Sequence, residues 1–144
     1  MSKCNSRRNI RVNLSEQERT QLINYRIKQA KDTIEVVNLL IENNQLQTAV
    51  NRIYYGIFYS VLALALSEKF ETSKHHQLIG WFNREFIKPG KIDKKYGETF
   101  KSAYESRTSG DYDTFVEFEK DEVNLLFEEM KEFIDRIDLF IQSK

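Results

Sequence analysis

The residues best suited to chemistry cluster near the end of the fourth helical pattern and on the back of the second. Arg107 and Asp111 stand four residues apart, a spacing that lets side chains meet on one helical face or across a helix end. Tyr112 follows directly. Two roles fit the pair. Asp111 can hold Arg107 in an ion pair and accept backbone N–H groups, pinning a turn. Alternatively, Arg107 is left free to grip a phosphate while His75 supplies acid–base capacity near neutral pH. Asn51, Arg52, Tyr55 and Tyr59 complete the polar set, and the two tyrosines suit either interface packing or stacking on bases. Other chemistries lack their residues. The chain has no Gly-rich phosphate loop, no cysteine pair and no His-Glu-x-x-His motif. His75 and His76 are adjacent, so on a helix they diverge by about 100° and do not form a two-histidine metal face. Neither a metal nor a cofactor is expected. The single cysteine, Cys4, has no neighbouring base to make it a nucleophile.

These residues need a scaffold, and the sequence describes one helix after another. Ala49 to Leu66 is the central stretch: Val50, Ile53, Tyr54, Ile57, Phe58, Val61, Leu64 and Ala65 share one apolar face. Its other side carries Arg52, Tyr55, Tyr59, Leu62 and Leu66, with Ala49, Gly56, Ser60 and Ala63 in a narrow strip between. Such a helix is buried on several sides, its aromatic back facing either another helix or a second subunit. Before it, Ser15-Glu16-Gln17-Glu18 is a capping box that opens a helix ending at Glu42-Asn43-Asn44. After it, a shorter helix is expected from about His75 to Phe86, with Leu78, Trp81, Phe82 and Phe86 inward. Lys88-Pro89-Gly90-Lys91 breaks the chain. A fourth helix, from about Lys94 to Ser106, turns Tyr96, Phe100, Ala103 and Tyr104 inward. Arg107 continues that stripe, and Thr108-Ser109-Gly110 is expected to stop the helix. An irregular connector with Phe115 and Phe118 then leads to a last helix, about Glu119 to Gln142. The fold class expected is all-α: an antiparallel four-helix bundle with a fifth, shorter helix, over residues 14–144. Residues 1–13 are polar, basic and aperiodic, the pattern of a flexible tail.

Hydrophobic residues make up 40% of the 144 and charged residues 31%, with Pro and Gly scarce, the composition of a helical globular domain. The run from Gly56 to Leu66 falls short of the roughly 20 apolar residues of a membrane span. A lone cysteine and no apolar leader point to the cytoplasm, with no membrane partner. The net charge of zero conceals segregation: +4 over residues 1–13, +4 over residues 69–107 and −7 over residues 111–144. A basic middle permits contact with nucleic acid, though ordinary solvated helix faces look the same.

Taken in order, Asn51-Arg52-x-Tyr54-Tyr55-x-x-Phe58, the lone His75 ahead of Phe82, Phe86-Ile87-Lys88-x-Gly90 and Arg107-x-x-x-Asp111-Tyr112 resemble the HEPN domain. Within it they are similar to the small prokaryotic branch encoded beside minimal nucleotidyltransferases. The resemblance runs from about Leu14 to Ile141. It implies a helical bundle, a homodimer, a minimal nucleotidyltransferase partner, and membership of a toxin–antitoxin-like or defence module, with RNA as a possible ligand. In active members, an Arg and a His separated by four to six residues meet those of a second subunit in a cleft and cut RNA without metal. Here no Arg is followed by His at that spacing, and Gly110-Asp111-Tyr112 stands where the motif would end. The implied catalytic set is therefore Arg107 with His75 or Asp111, and the implied binding set Asn51, Arg52, Tyr55, Tyr59 and Tyr112. Tyr112 also matches the position that the partner enzyme adenylylates in related toxins.

Overall fold

The computed structural model describes residues 14–72, 74–113 and 116–144. The expected tail, residues 1–13, and Phe115 of the connector lie outside the described residues. Five helices follow one another: α1 (Glu16–Glu42), α2 (Leu46–Ser67), α3 (His75–Phe82, continued by a π-helical turn over Asn83–Ile87), α4 (Lys94–Tyr112) and α5 (Lys120–Gln142), with no strand among the described residues. Four long helices and one short one make the all-α architecture expected. Contacts at the ends give their directions. Arg19 of α1 donates to the Leu66 carbonyl of α2, and Gln47 of α2 donates to the Gly110 carbonyl of α4. Lys144, just past the end of α5, donates to Ser67 at the end of α2. Hence α1 and α4 run opposite to α2 and α5.

Local chemistry sets the boundaries. The capping box is formed: Ser15 Oγ accepts from Glu18 N–H at 3.1 Å, and Glu18 Oε1 accepts from Ser15 N–H at 3.0 Å. The break after α1 turns on Asn44 at φ 58°, a left-handed conformation that asparagine tolerates. In α2 the small strip lets α1 approach closely. Ala49, Gly56, Ser60 and Ala63 are all buried, and α1 against α2 is the most extensive helix pair. A Cβ placed on Gly56 would lie 2.3 Å from Met130 Cε of α5 and 3.4 Å from Thr33 of α1, so glycine allows two helices to close on α2 there.

Two stretches depart from the sequence expectation. The third helix does not stop at Phe86; a π turn carries it to Ile87. The wider turn keeps Phe82 and Phe86 both buried while Asn83 and Ile87 press on Gly97 of α4, where a Cβ would meet each at 3.2 Å. The fourth helix is not stopped by Thr108-Ser109-Gly110 but continues to Tyr112. Three contacts hold the extra turns: Thr108 Oγ1 donates to the Tyr104 carbonyl, Gln47 caps the Gly110 carbonyl, and Arg107 pairs with Asp111. Phe118 packs over Gly110, its ring about where a Cβ contact would be 3.1 Å. Asp111 and Tyr112 are thus helical residues, and the connector begins at Asp113.

The core gathers Ile53, Ile57 and Leu64 of α2, Phe82 of α3, Phe100 of α4 and Phe133, Ile134 and Ile137 of α5, all essentially inaccessible. By length and composition α2 could cross a membrane, but 67% of its apolar window is buried inside the bundle, so its hydrophobicity is used internally. Gly56→Leu should lower stability by about 2–3 kcal/mol, the range for overpacking a tight core. Gly56→Ala should cost less, because only the Met130 methyl end must move. Urea denaturation of the two variants and the wild type checks the order.

Candidate functional site

Tyr54 is the buried centre of the polar end of the bundle. Its ring has no solvent exposure, so its hydroxyl needs an internal partner. That partner is His75, the first residue of α3, whose Nδ1 lies 2.6 Å from Tyr54 Oη. The imidazole also stacks on Phe58 at 4.4 Å between ring centres and 14° between planes. Burial holds the Tyr54 hydroxyl pKa well above the ordinary tyrosine value, so the group stays a phenol. Being a phenol, it can donate to Nδ1, leaving Nε2–H outward, or accept from Nδ1–H, leaving the Nε2 lone pair outward. His75 is pushed below its ordinary pKa, chiefly by burial, then by the Arg107 and His76 charges. It is therefore a neutral imidazole at pH 7.

Arg107 lies over the same aromatic cluster. Its guanidinium carbon is 5.6 Å from the Tyr54 ring centre and 5.4 Å from that of Tyr55, distances at which a cation is attracted by a ring face. Nη2 is 3.4 Å from the Tyr55 hydroxyl. Nε lies 3.0 Å from Asp111 Oδ2, yet this buried N–H has no hydrogen bond, so the pairing is ionic, not directional. The two side chains are 19% and 30% exposed, open enough that such a pair contributes only about 0.5–1 kcal/mol. Arg52 approaches Tyr55 too, at 4.9 Å, and its buried Nε is likewise without a hydrogen-bond partner. Two guanidinium groups therefore stand over one tyrosine ring.

The remaining candidates take different places. Tyr59 meets Tyr55 at a tilt and Phe58 edge to face, with ring centres 6.0 and 6.4 Å away, and stays half-buried on the outer side of α2. Asn51 and Asp111 line an open cavity of about 550 Å³ at the start of α2, together with Asn44, Gln45, Gln47 and Thr48. Tyr112 is 79% exposed at the last turn of α4. His76 turns away from His75 toward Tyr104, 3.4 Å from its hydroxyl.

Sequence reasoning did not place Tyr54, Tyr104 or Gln47 among the site residues, although Tyr54 stands in the motif that carries the family resemblance. Tyr54 sits on the apolar face of its helix and reads as core; the available signal was that a buried tyrosine hydroxyl needs a partner. Gln47 carries no local pattern at all, since its bond to Gly110 spans 63 residues.

A short all-helical bundle with an arginine–tyrosine–histidine cluster at one end narrows the class of protein considerably. The chain belongs to the HEPN domain family, whose family model matches residues 23–139. It is 38% identical to a "UPF0332 protein" of Thermotoga maritima over 88% of this chain and 96% of the relative. Two Methanocaldococcus jannaschii proteins that carry the name "Putative toxin" are each 32% identical, one over 82% of this chain and 80% of its own length, the other over 77% and 82%.

The depressed pKa of His75 has a stability consequence with a definite sign. The unfolded chain binds the His75 proton more readily, so stability is complete above the unfolded value near 6.5 and is lost as pH falls below it. The melting temperature should fall more between pH 7.5 and 5 in the wild type than in His75→Asn. Tyr54→Phe, which removes the hydroxyl at neutral pH, should cost about 1–2 kcal/mol. Thermal melts of the three proteins at both pH values check this.

Proposed function

We propose that this HEPN protein is the toxin-like member of a two-protein module, acting as a homodimer that binds RNA and works with a minimal nucleotidyltransferase. The observation that carries the reading is the pair of guanidinium groups, Arg52 and Arg107, over Tyr55. Paired guanidinium groups can grip a phosphodiester in bidentate fashion, and a tyrosine beside them can stack on a base. The names of the Methanocaldococcus relatives favour the toxin-like role. The half-buried Tyr59, Leu62 and Leu66 on the outer side of α2 provide an aromatic and aliphatic strip for a second copy.

A second reading, a metal-independent endoribonuclease, draws on one specific observation. His75 and Arg107 both lie against the rings of Tyr54 and Tyr55. With Nδ1–H bonded to Tyr54, the Nε2 of His75 could take the proton from a ribose 2′-hydroxyl as that oxygen attacks the adjacent phosphorus. The bond to the next nucleotide's 5′-oxygen breaks, that oxygen leaves with a proton from water, a 2′,3′-cyclic phosphate remains, and Arg107 offsets the charge gathering on the phosphoryl oxygens. Asp111 is the weaker candidate for the proton, because it is committed to Arg107 and its carboxylate repels phosphate.

Arg107→Ala and Arg52→Ala should each weaken binding of a labelled single-stranded RNA about 10- to 100-fold, the loss of one charge-assisted contact, read by fluorescence anisotropy. Unchanged affinity in both variants would overturn the site. Sedimentation should show a dimer that Tyr59→Arg dissociates; a monomeric wild type defeats the subunit reading. Co-expression with a minimal nucleotidyltransferase should yield one co-eluting complex. RNA that is bound but left intact favours the binding module, whereas cleavage lost in both Arg107→Ala and His75→Asn favours the ribonuclease.

A further inference from the structure

A second cleft opens away from this cluster, where the last turns of α4, the connector and the start of α5 meet. It has a volume of about 340 Å³; its floor includes Val50, Val123 and Leu126, and its rim carries Glu105, Glu117 and Glu122. Among the described residues, no lysine or arginine lines it. Val123 and Leu126 are 1% and 9% exposed, so the floor is continuous with the core. Neither Glu105 nor Glu117 has an ion-pair partner among the described residues. Glu122 is engaged only by the Glu119 backbone N–H. An apolar slot with an all-acidic rim fits a segment in which aliphatic side chains alternate with cations.

The chain itself contains such a segment outside the described residues: Arg7-Arg8-Asn9-Ile10-Arg11-Val12. We infer that the cleft of one copy seats residues 7–12 of another copy, with Ile10 and Val12 against Val123 and Leu126 and the arginines against Glu105 and Glu117. Reach decides between copies. The first turn of α1 is tied to the Leu66 carbonyl of α2, whereas the cleft borders Val50, sixteen residues earlier on that helix, about 24 Å away. Leu14 precedes Arg19 by five residues and lies beyond that end. Ile10, four residues from Leu14, can be at most about 14 Å from it. The aliphatic residues therefore cannot reach the cleft of their own molecule, and the contact is made in trans. This docking is separate from the RNA site and from the strip on α2.

The single cysteine, Cys4, allows a direct test on the full chain. A nitroxide is attached to Cys4 of unlabelled protein, which is then mixed with nitrogen-15-labelled protein carrying no nitroxide. Paramagnetic broadening should appear at the amides of Val116, Val123 and Leu126 in the isotope-labelled copies. Glu105→Lys with Glu117→Lys in those copies should weaken the effect roughly tenfold, as should Ile10→Ser with Val12→Ser in the nitroxide copies. Arg8→Glu with Arg11→Glu in the nitroxide copies should restore it against the lysine variant. High salt should reduce it. Cleft amides left unbroadened, or broadened equally after the glutamate reversals, overturn the inference. Amide spectra of each variant establish that the bundle is intact.

Discussion

One buried hydroxyl organises the functional end of the bundle. Tyr54 is sealed inside by α2, α3 and α4, and the hydrogen bond to His75 Nδ1 satisfies its oxygen at 2.6 Å. Leaving such a group unpaired would cost about 1–3 kcal/mol, a large share of a small domain's stability. That penalty fixes where α3 begins, because His75 is its first residue. It also fixes the ring orientation, since the imidazole must lie flat on Phe58 to reach the hydroxyl. Tyr54 therefore links the packing of the core to the protonation and direction of the only imidazole near Arg107 among the described residues.

Around this centre the charges are arranged in an unequal way. Arg52 and Arg107 both lean on Tyr55, but among the described residues only Arg107 has a carboxylate beside it. Asp111 restrains that guanidinium without quenching it, because the pair is partly open to solvent. In the ribonuclease pattern that the chain resembles, a histidine follows the arginine on the same helix; here the equivalent turn offers a carboxylate, and the imidazole comes from α3. Under the proposed reading, gripping an anion and moving a proton would fall to residues of two different helices, Arg107 on α4 and His75 on α3, with Tyr54 between them.

The length of α4 matters for the same reason. Had the helix ended at Gly110, Asp111 would have been an irregular residue free to move away from Arg107. Gln47, reaching from the start of α2 to the Gly110 carbonyl, and Phe118, covering Gly110, hold the final turn instead. Glycine there is a packing choice: the missing side chain admits the phenyl ring. Tyr112 is carried out to solvent by that turn.

The helices and their inward faces were legible from local chemistry alone. The 3.6-residue periodicity, the Ser15–Glu18 box, the Pro89-Gly90 break and the small strip of α2 each act over a few residues, and each appears as expected. So did the placement of Arg107 on the inner stripe of α4. The π turn, the end of α4 and the Tyr54–His75 bond were not legible. Thr108-Ser109-Gly110 is a helix-stopping run by propensity, and only contacts from Gln47 and Phe118 override it. Whether a buried tyrosine meets a histidine 21 residues away, and whether two arginines share one ring, depends on how helices lie against each other. Helix formation is a local free-energy balance, read along the chain; satisfying a buried hydroxyl or stacking a cation is a balance between distant residues that exists only once the bundle has closed.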